Sequence, residues 1–247
     1  MLVFLLVSTV ASLVVSLILG IRLLRLAART RELPEFAIGL AFIIAGVIAY
    51  SLMLIGNPSS GQLTLEQAMP IFSCGYALIS LGVVCTYVFI WSVFRRDSAW
   101  GRGLMVIGSA GALITAFPMF EYRTVGIAQE SFYWFGQLVR IGSGLWGAIE
   151  AIRWWSRMKR RVRLGLAEAI VANRFALWGA ANLSTLAIFV STSLITGAEG
   201  VVMTPARIAL ISSLTLSTTI SQWLAFLPPA AYRKRFESKS GSAPSVS

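Results

Sequence analysis

One cation stands where cations are costly. Arg140 lies inside an apolar stretch, and Tyr133, Gly136, Gln137, Arg140, Ser143, Gly144 and Gly147 recur there at three- and four-residue steps. On an α-helix that spacing puts them on one face, with Leu138, Ile141, Leu145 and Ile149 opposite. A guanidinium carries a permanent charge and five N–H donors, so it needs a carboxylate, carbonyls or water. Unpaired at mid-membrane it costs at least about 2.5–3.5 kcal/mol. Arg140 therefore needs a structural partner, for which Glu121 and Glu130 are the candidates, or an anionic ligand. Glu150 lies toward the other end of the stretch, where Arg153, three residues on, is the easier partner.

Three further stretches carry polar stripes at helical spacing. Ser73, Tyr76, Ser80 and Tyr87 form one; Trp178, Asn182, Thr185, Thr192 and Thr196 a second; Ser212, Thr215, Thr218, Thr219 and Gln222 a third, with Arg207 one turn away. Two readings are open. In one, the stripes converge on a cavity where Arg140, Gln137, Tyr133, Ser143, Tyr76, Ser80, Asn182, Thr185, Thr215 and Thr219 meet a ligand. In the other, Ser and Thr bond back to their own helices while Asn182 and Gln222 bond across to neighbours.

The residue inventory rules out much other chemistry. There is no histidine, so a serine nucleophile has no imidazole base. Cys74 and Cys85 fall on one helical stretch about 16 Å apart, too far for a disulfide. With no acidic cluster beside them, no metal is expected, and neither a cofactor nor an enzymatic activity is. Gly142-Ser143-Gly144-Leu145-Trp146-Gly147 matches a dinucleotide-binding pattern, but no strand precedes it, so it reads as a packing surface. Asn182-Leu183-Ser184 matches a glycosylation acceptor inside an apolar stretch.

The elements that position these residues follow from composition. Of 247 residues, 57% are hydrophobic and 13% charged, and the mean hydropathy is +0.77. A bilayer core needs about 20 helical residues to cross. Helices are expected over about 2–24, 36–56, 70–94, 103–120, 131–155, 175–196 and 206–228, an all-α membrane protein built as a seven-transmembrane-helix bundle in one domain, 1–232. Residues 233–247 read as a disordered cytoplasmic tail.

The net charge of +11 is unevenly spread. Arg22, Arg25, Arg29 and Arg31 follow the first stretch, Arg95, Arg96 and Arg102 the third, Arg153 to Arg174 the fifth, and Arg233, Lys234, Arg235 and Lys239 the seventh. Cytoplasmic loops retain Lys and Arg, so every odd-numbered helix points inward. The N-terminus is then outside and the C-terminus in the cytoplasm. The first stretch has no charge before its apolar run and does not read as a cleaved signal. Nucleic acid is not the implied partner. Trp91, Trp154, Trp155, Trp178, Trp223 and Tyr232 are expected as a belt at the cytoplasmic surface. From Trp154 to Leu166 the fifth helix reads as bending onto the inner leaflet, with Arg157, Lys159, Arg160, Arg161 and Arg163 meeting anionic lipids; the alternative is a solvated topology signal without lipid specificity.

Seven helices with an external N-terminus are similar in outline to microbial rhodopsins and G-protein-coupled receptors. The stretch 208–228 has no lysine, the third stretch has no carboxylate, and Phe94-Arg95-Arg96-Asp97 is not the receptor triplet. Retinal held as a Schiff base is therefore excluded. The segments from Arg163-Leu164-Gly165-Leu166 to Asn173-Arg174-Phe175, and from Trp223 to Arg233, resemble uncharacterised bacterial seven-helix proteins and the membrane parts of bacterial sensors. That resemblance implies a multi-pass protein of the bacterial cytoplasmic membrane with a sensory or regulatory role. A sensor binding a small ligand or lipid within the bundle is the first expectation, with a cytoplasmic or membrane protein partner. A small-solute or lipid transporter and a non-catalytic subunit of a membrane complex are the alternatives.

Overall fold

The computed structural model describes residues 2–57, 62–116, 131–199 and 204–240, and every regular element among them is helical. Helix α1 (Leu2–Thr30) and α2 (Leu33–Ala41) form a hairpin joined by Arg31 and Glu32. Arg31 makes the turn in the left-handed region, at φ 57°, and its N–H donates to the Ala27 carbonyl at 2.8 Å. That bond satisfies one of the carbonyls a helix end leaves bare. Helix α2 continues through a π-helical stretch, Phe42–Ala49, into α3 (Tyr50–Ile55). Helix α4 (Leu65–Phe94) begins on a capping box, in which Thr64 accepts from the Gln67 N–H and Gln67 accepts from the Thr64 N–H. Ser98 caps α5 (Ala99–Ile114) by accepting from the Gly101 N–H. Then come α6 (Ser131–Arg163), α7 (Ala169–Glu199), α8 (Pro205–Phe226) and α9 (Ala230–Ser240).

Five helical units among the described residues are long and apolar enough to cross a membrane: Val3–Thr30, Leu33–Ile55, Glu66–Phe94, Ala169–Leu194 and Pro205–Phe226. The chain is in outline a multi-pass, all-helical membrane protein. Helix α5 is apolar but has only 16 residues, and α6 carries the charged positions in its 33. Each unit packs on the next in chain order, α8 closes on α1, and α4 also reaches α6. On α1 a strip of Val3, Leu6, Val10, Val14 and Leu17 stays exposed, as a lipid-facing surface requires.

Lipid tails are as apolar as leucine, so close packing rather than water exclusion must hold such helices together. Gly75 and Gly82, two turns apart on α4, give a bare strip against Ala49 and Ala45; a Cβ on Gly75 would stand 2.8 Å from the Ala49 carbonyl oxygen. Rings link the helices toward their arginine-bearing ends. Trp178 meets Phe89 edge-on at 5.1 Å and Phe226 at 5.6 Å, and Phe226 meets Phe42 at 6.0 Å. Such pairs add about 0.5–1.5 kcal/mol each beyond area burial.

Several expectations need correction. Trp178 is not at a half-wet surface but buried in this core, and Trp91 and Trp154 pack against it. Helices α1, α6 and α7 overrun their expected ends because an apolar count marks the hydrocarbon layer, not where helical hydrogen bonding stops. Helix α4 starts five residues before Pro70, which therefore sits in its second turn rather than its first. The fourth helix was expected over 103–120; Ser98 starts it earlier, Ile114 ends it, and 117–120 lie outside the described residues. Helix α6 does not bend at Trp154 but stays α-helical to Arg163. The expected disordered tail is helical from 233 to 240, because Pro229 accepts from the Tyr232 and Arg233 N–H groups and the Tyr232 ring meets that of Phe236, 5.4 Å between centroids. The rest of the tail, 241–247, lies outside the described residues.

Candidate functional site

Helix α6 turns its small and polar face inward, as its spacing requires. Gly136, Gln137, Arg140, Ser143, Gly144 and Gly147 are buried, and Leu138, Leu145 and Ile149 are exposed. Arg140 is only 3% exposed. Its Nη1 donates to the Tyr76 hydroxyl, its Nη2 to Ser80 Oγ at 3.1 Å, and its Cζ lies 3.9 Å from the centroid of the Tyr76 ring. A phenol ring and two hydroxyls of α4 thus hold a buried cation, through hydrogen bonds and a cation–π contact. None of them neutralises it. Among the described residues no carboxylate reaches Arg140. The proposed partners Glu121 and Glu130 lie outside those residues, as does the side chain of Tyr133.

Two buried polar atoms beside this network have no hydrogen-bond partner among the described residues: Arg140 Nε, a donor, and Gln137 Oε1, an acceptor. They belong to residues one turn apart on the same face. Ser143 turns its hydroxyl back to the Arg140 carbonyl at 2.8 Å. Beside Arg140 on α6, the Tyr87 hydroxyl donates to the Val139 carbonyl at 2.9 Å, a second tie between α4 and α6.

The other stripes do not join this cluster. Asn182 donates to the Trp178 carbonyl at 2.8 Å on its own helix, and its Oδ1 lies where a Cβ on Gly147 would be, 2.5 Å away. Thr219 bonds back to the Thr215 carbonyl at 2.8 Å, and Thr192 to Ile188 and Phe189 at 2.9 and 3.0 Å. Thr185 and Thr215 are half-buried and have no hydrogen bond to Arg140. Of the candidates, the structure brings together Arg140, Tyr76 and Ser80, with Gln137 and Ser143 on the same face.

A second charged cluster sits where α4 ends. Glu150 is 1% exposed and accepts from Arg95 Nε at 2.7 Å. Arg153 stands farther off, at 3.5 Å, while the Arg95 guanidinium lies 4.8 Å from the Trp100 ring. Local spacing on one helix favours Arg153 for Glu150; the structure favours the tertiary partner. The signal for it was available: Arg95 and Glu150 both fall near the arginine-bearing ends of the third and fifth apolar stretches, hence at similar depth.

Of the basic residues ending α6, Arg157 lies over Trp154 at 5.7 Å and Lys159 over Trp155 at 4.7 Å. Lys159 and Arg163 line a groove, whereas Arg160 and Arg161 are exposed on other flanks of the helix. No protein-family model, curated protein or solved structure matches this chain.

Proposed function

We propose that this chain is a non-enzymatic sensor of the bacterial cytoplasmic membrane, crossing it seven times and binding a small anion at Arg140. Helices α5 and α6 supply the two crossings beyond the five that length and apolarity identify. Basic residues at alternate connections support a cytoplasmic C-terminus.

The observation that carries the binding role is an imbalance of charge among the described residues. A guanidinium 3% exposed is held by neutral oxygens, with Nε and Gln137 Oε1 unpartnered beside it. Hydroxyls lower the cost of burying a cation but leave its charge uncompensated. A carboxylate on a small ligand supplies both the charge and the acceptor, and an N–H or O–H on the same ligand satisfies Gln137.

The route to the other side of the membrane runs through α4 and α6. Arg140 and Glu150 are about 15 Å apart along α6, and each is tied to α4, by Tyr76 and Ser80 and by Arg95 respectively. A ligand that draws Arg140 from Tyr76 shifts α6 against α4. The Arg95–Glu150 pair then passes the shift to the basic end, where a protein partner reads the exposed arginines.

The experiment is a thermal-shift screen of detergent-purified protein against small mono- and dicarboxylates and inorganic phosphate. One anion class is expected to raise the midpoint of the wild type and not that of Arg140→Gln. Equal shifts in both proteins, or no shift with any anion, would reduce Arg140 to a packing residue.

A further inference from the structure

The end of α6 is built to stop in one place. Gly165 adopts φ +69°, its N–H donates to the Val162 carbonyl at 3.0 Å, and the Leu166 N–H donates to Arg161 at 2.9 Å. These two bonds close a helix end of the Schellman type, which glycine permits without strain. The turn leaves two leucines out of the bundle, Leu164 at 71% and Leu166 at 73% exposed. Exposed apolar side chains next to a row of cations suit a lipid headgroup layer rather than open water.

Beside this turn lies an open groove of about 270 Å³ between α6, α7 and α9. Trp155, Lys159, Val162 and Arg163 share one face of α6 and form its first wall. Ala169, Ala172 and Asn173 form the floor, and Phe236 the far wall. The wall from α9 is pinned, because Asn173 Nδ2 donates to the Tyr232 hydroxyl at 2.7 Å. Lys159 is steered by the Trp155 ring under its ammonium, 4.7 Å away. Two cations one turn apart thus stand over a lining that is mostly apolar, and no carboxylate is among the described lining residues.

We infer that this groove binds one anionic phospholipid, its phosphate between Lys159 and Arg163 and its apolar part along Trp155, Val162 and Phe236. Charge complementarity selects the occupant: the cations ask for an anion, and the apolar lining with Leu164 and Leu166 asks for a chain attached to it. A bound lipid ties α6 to α9 at the end where the proposed signal leaves the membrane. The inference rests on the reading that the basic end meets the headgroup layer; it is independent of any ligand at Arg140.

The test uses the full chain in detergent, titrated with phosphatidylglycerol and followed by native mass spectrometry. Lys159→Gln/Arg163→Gln is compared with Arg157→Gln/Arg161→Gln, which removes the same charge from the opposite flank of α6. A cation near an anionic lipid surface contributes about fivefold in affinity, so the groove pair is expected to lose about 30-fold. The control pair is expected to lose less than about threefold, and phosphatidylcholine to bind neither protein. Equal losses in the two double variants would replace the site by a diffuse basic surface. Displacement by glycerol phosphate at the concentration of the lipid would remove the apolar half of the inference. Thiol labelling of Ser156→Cys in cells separates the premise from the site: labelling from outside, with the lipid result unchanged, overturns the topology and leaves the groove.

Discussion

Glu150 offers the sharpest test of how this bundle handles charge. Its side chain is 1% exposed, against 22% for Arg95 and 55% for Arg153. Removing one partner of a fully buried ion pair costs about 3–5 kcal/mol, because the other charge stays behind. Arg95 keeps some access to solvent and the Trp100 ring at 4.8 Å, which lowers the expected coupling with Glu150 to about 2 kcal/mol. Arg153 is solvated and 3.5 Å from the carboxylate, so its coupling falls in the surface class, below about 0.5 kcal/mol. The assay is a double-mutant cycle by reversible unfolding in mixed micelles, with Glu150→Leu, Arg95→Leu and the double variant. The double variant should be more stable than Glu150→Leu alone, since no orphan charge remains. A second cycle sharpens the point: in the Arg95→Leu background Arg153 inherits the carboxylate, and its coupling should rise above about 1 kcal/mol. Additive single effects in the first cycle, or equal couplings for the two arginines, would refute the assignment of Arg95 as the partner.

Two further outcomes concern backbone and packing. A Cβ at Gly108 would run into the Tyr87 ring, which is buried and tethered to Val139; Gly108→Ala should destabilise by about 1–3 kcal/mol, and Tyr87→Leu should relieve most of it. If Gly108→Ala unfolds like wild type, α4 and α5 have slack the structure denies. Gly165 sits at φ +69° with nothing near its missing side chain, so Gly165→Ala should cost about 1 kcal/mol from the backbone alone. Arg31 is the mirror case at φ 57°: Arg31→Gly should stabilise by roughly 0.5–1 kcal/mol in the same unfolding assay, and a loss there would count against the turn as described.

The inward face of α6 was legible because helical spacing and the cost of a guanidinium in hydrocarbon leave one solution; Gln137, Arg140 and Ser143 are buried as that argument requires. The same logic placed Tyr76 and Ser80 on the buried face of α4. It did not name them as the partners of Arg140, since a search for opposite charge looks past hydroxyls and rings. Helix ends were less legible, because caps such as Thr64 and Ser98 lie outside the apolar runs that a membrane reading counts. The docking of α9 was missed for a related reason. Residues 233–247 are polar on average, but Phe236 lies one turn from Tyr232 and the pair faces α7, a local pattern that composition averages away.

The two ways this bundle joins its helices bear on what can move. Helix α6 meets α7 through glycines that let Asn182 and Leu186 approach the backbone, contacts that need close distance and lose most of their attraction on sliding. Helices α4 and α6 are joined instead by three polar ties: Arg140 to Tyr76 and Ser80, Tyr87 to Val139, and Arg95 to Glu150. Hydrogen bonds between membrane helices average about 0.6 kcal/mol and reach about 1.7, because the separated helices find other partners; the buried ion pair is somewhat stronger, about 2 kcal/mol. They are directional, and two of the three have a discrete alternative: the proposed ligand for Arg140, and Arg153 for Glu150. Packing interfaces without such alternatives stay put, and the interface with them is the one a small binding energy can switch. A stimulus at Arg140 is therefore expected to displace α6 together with α7 as one body against α4.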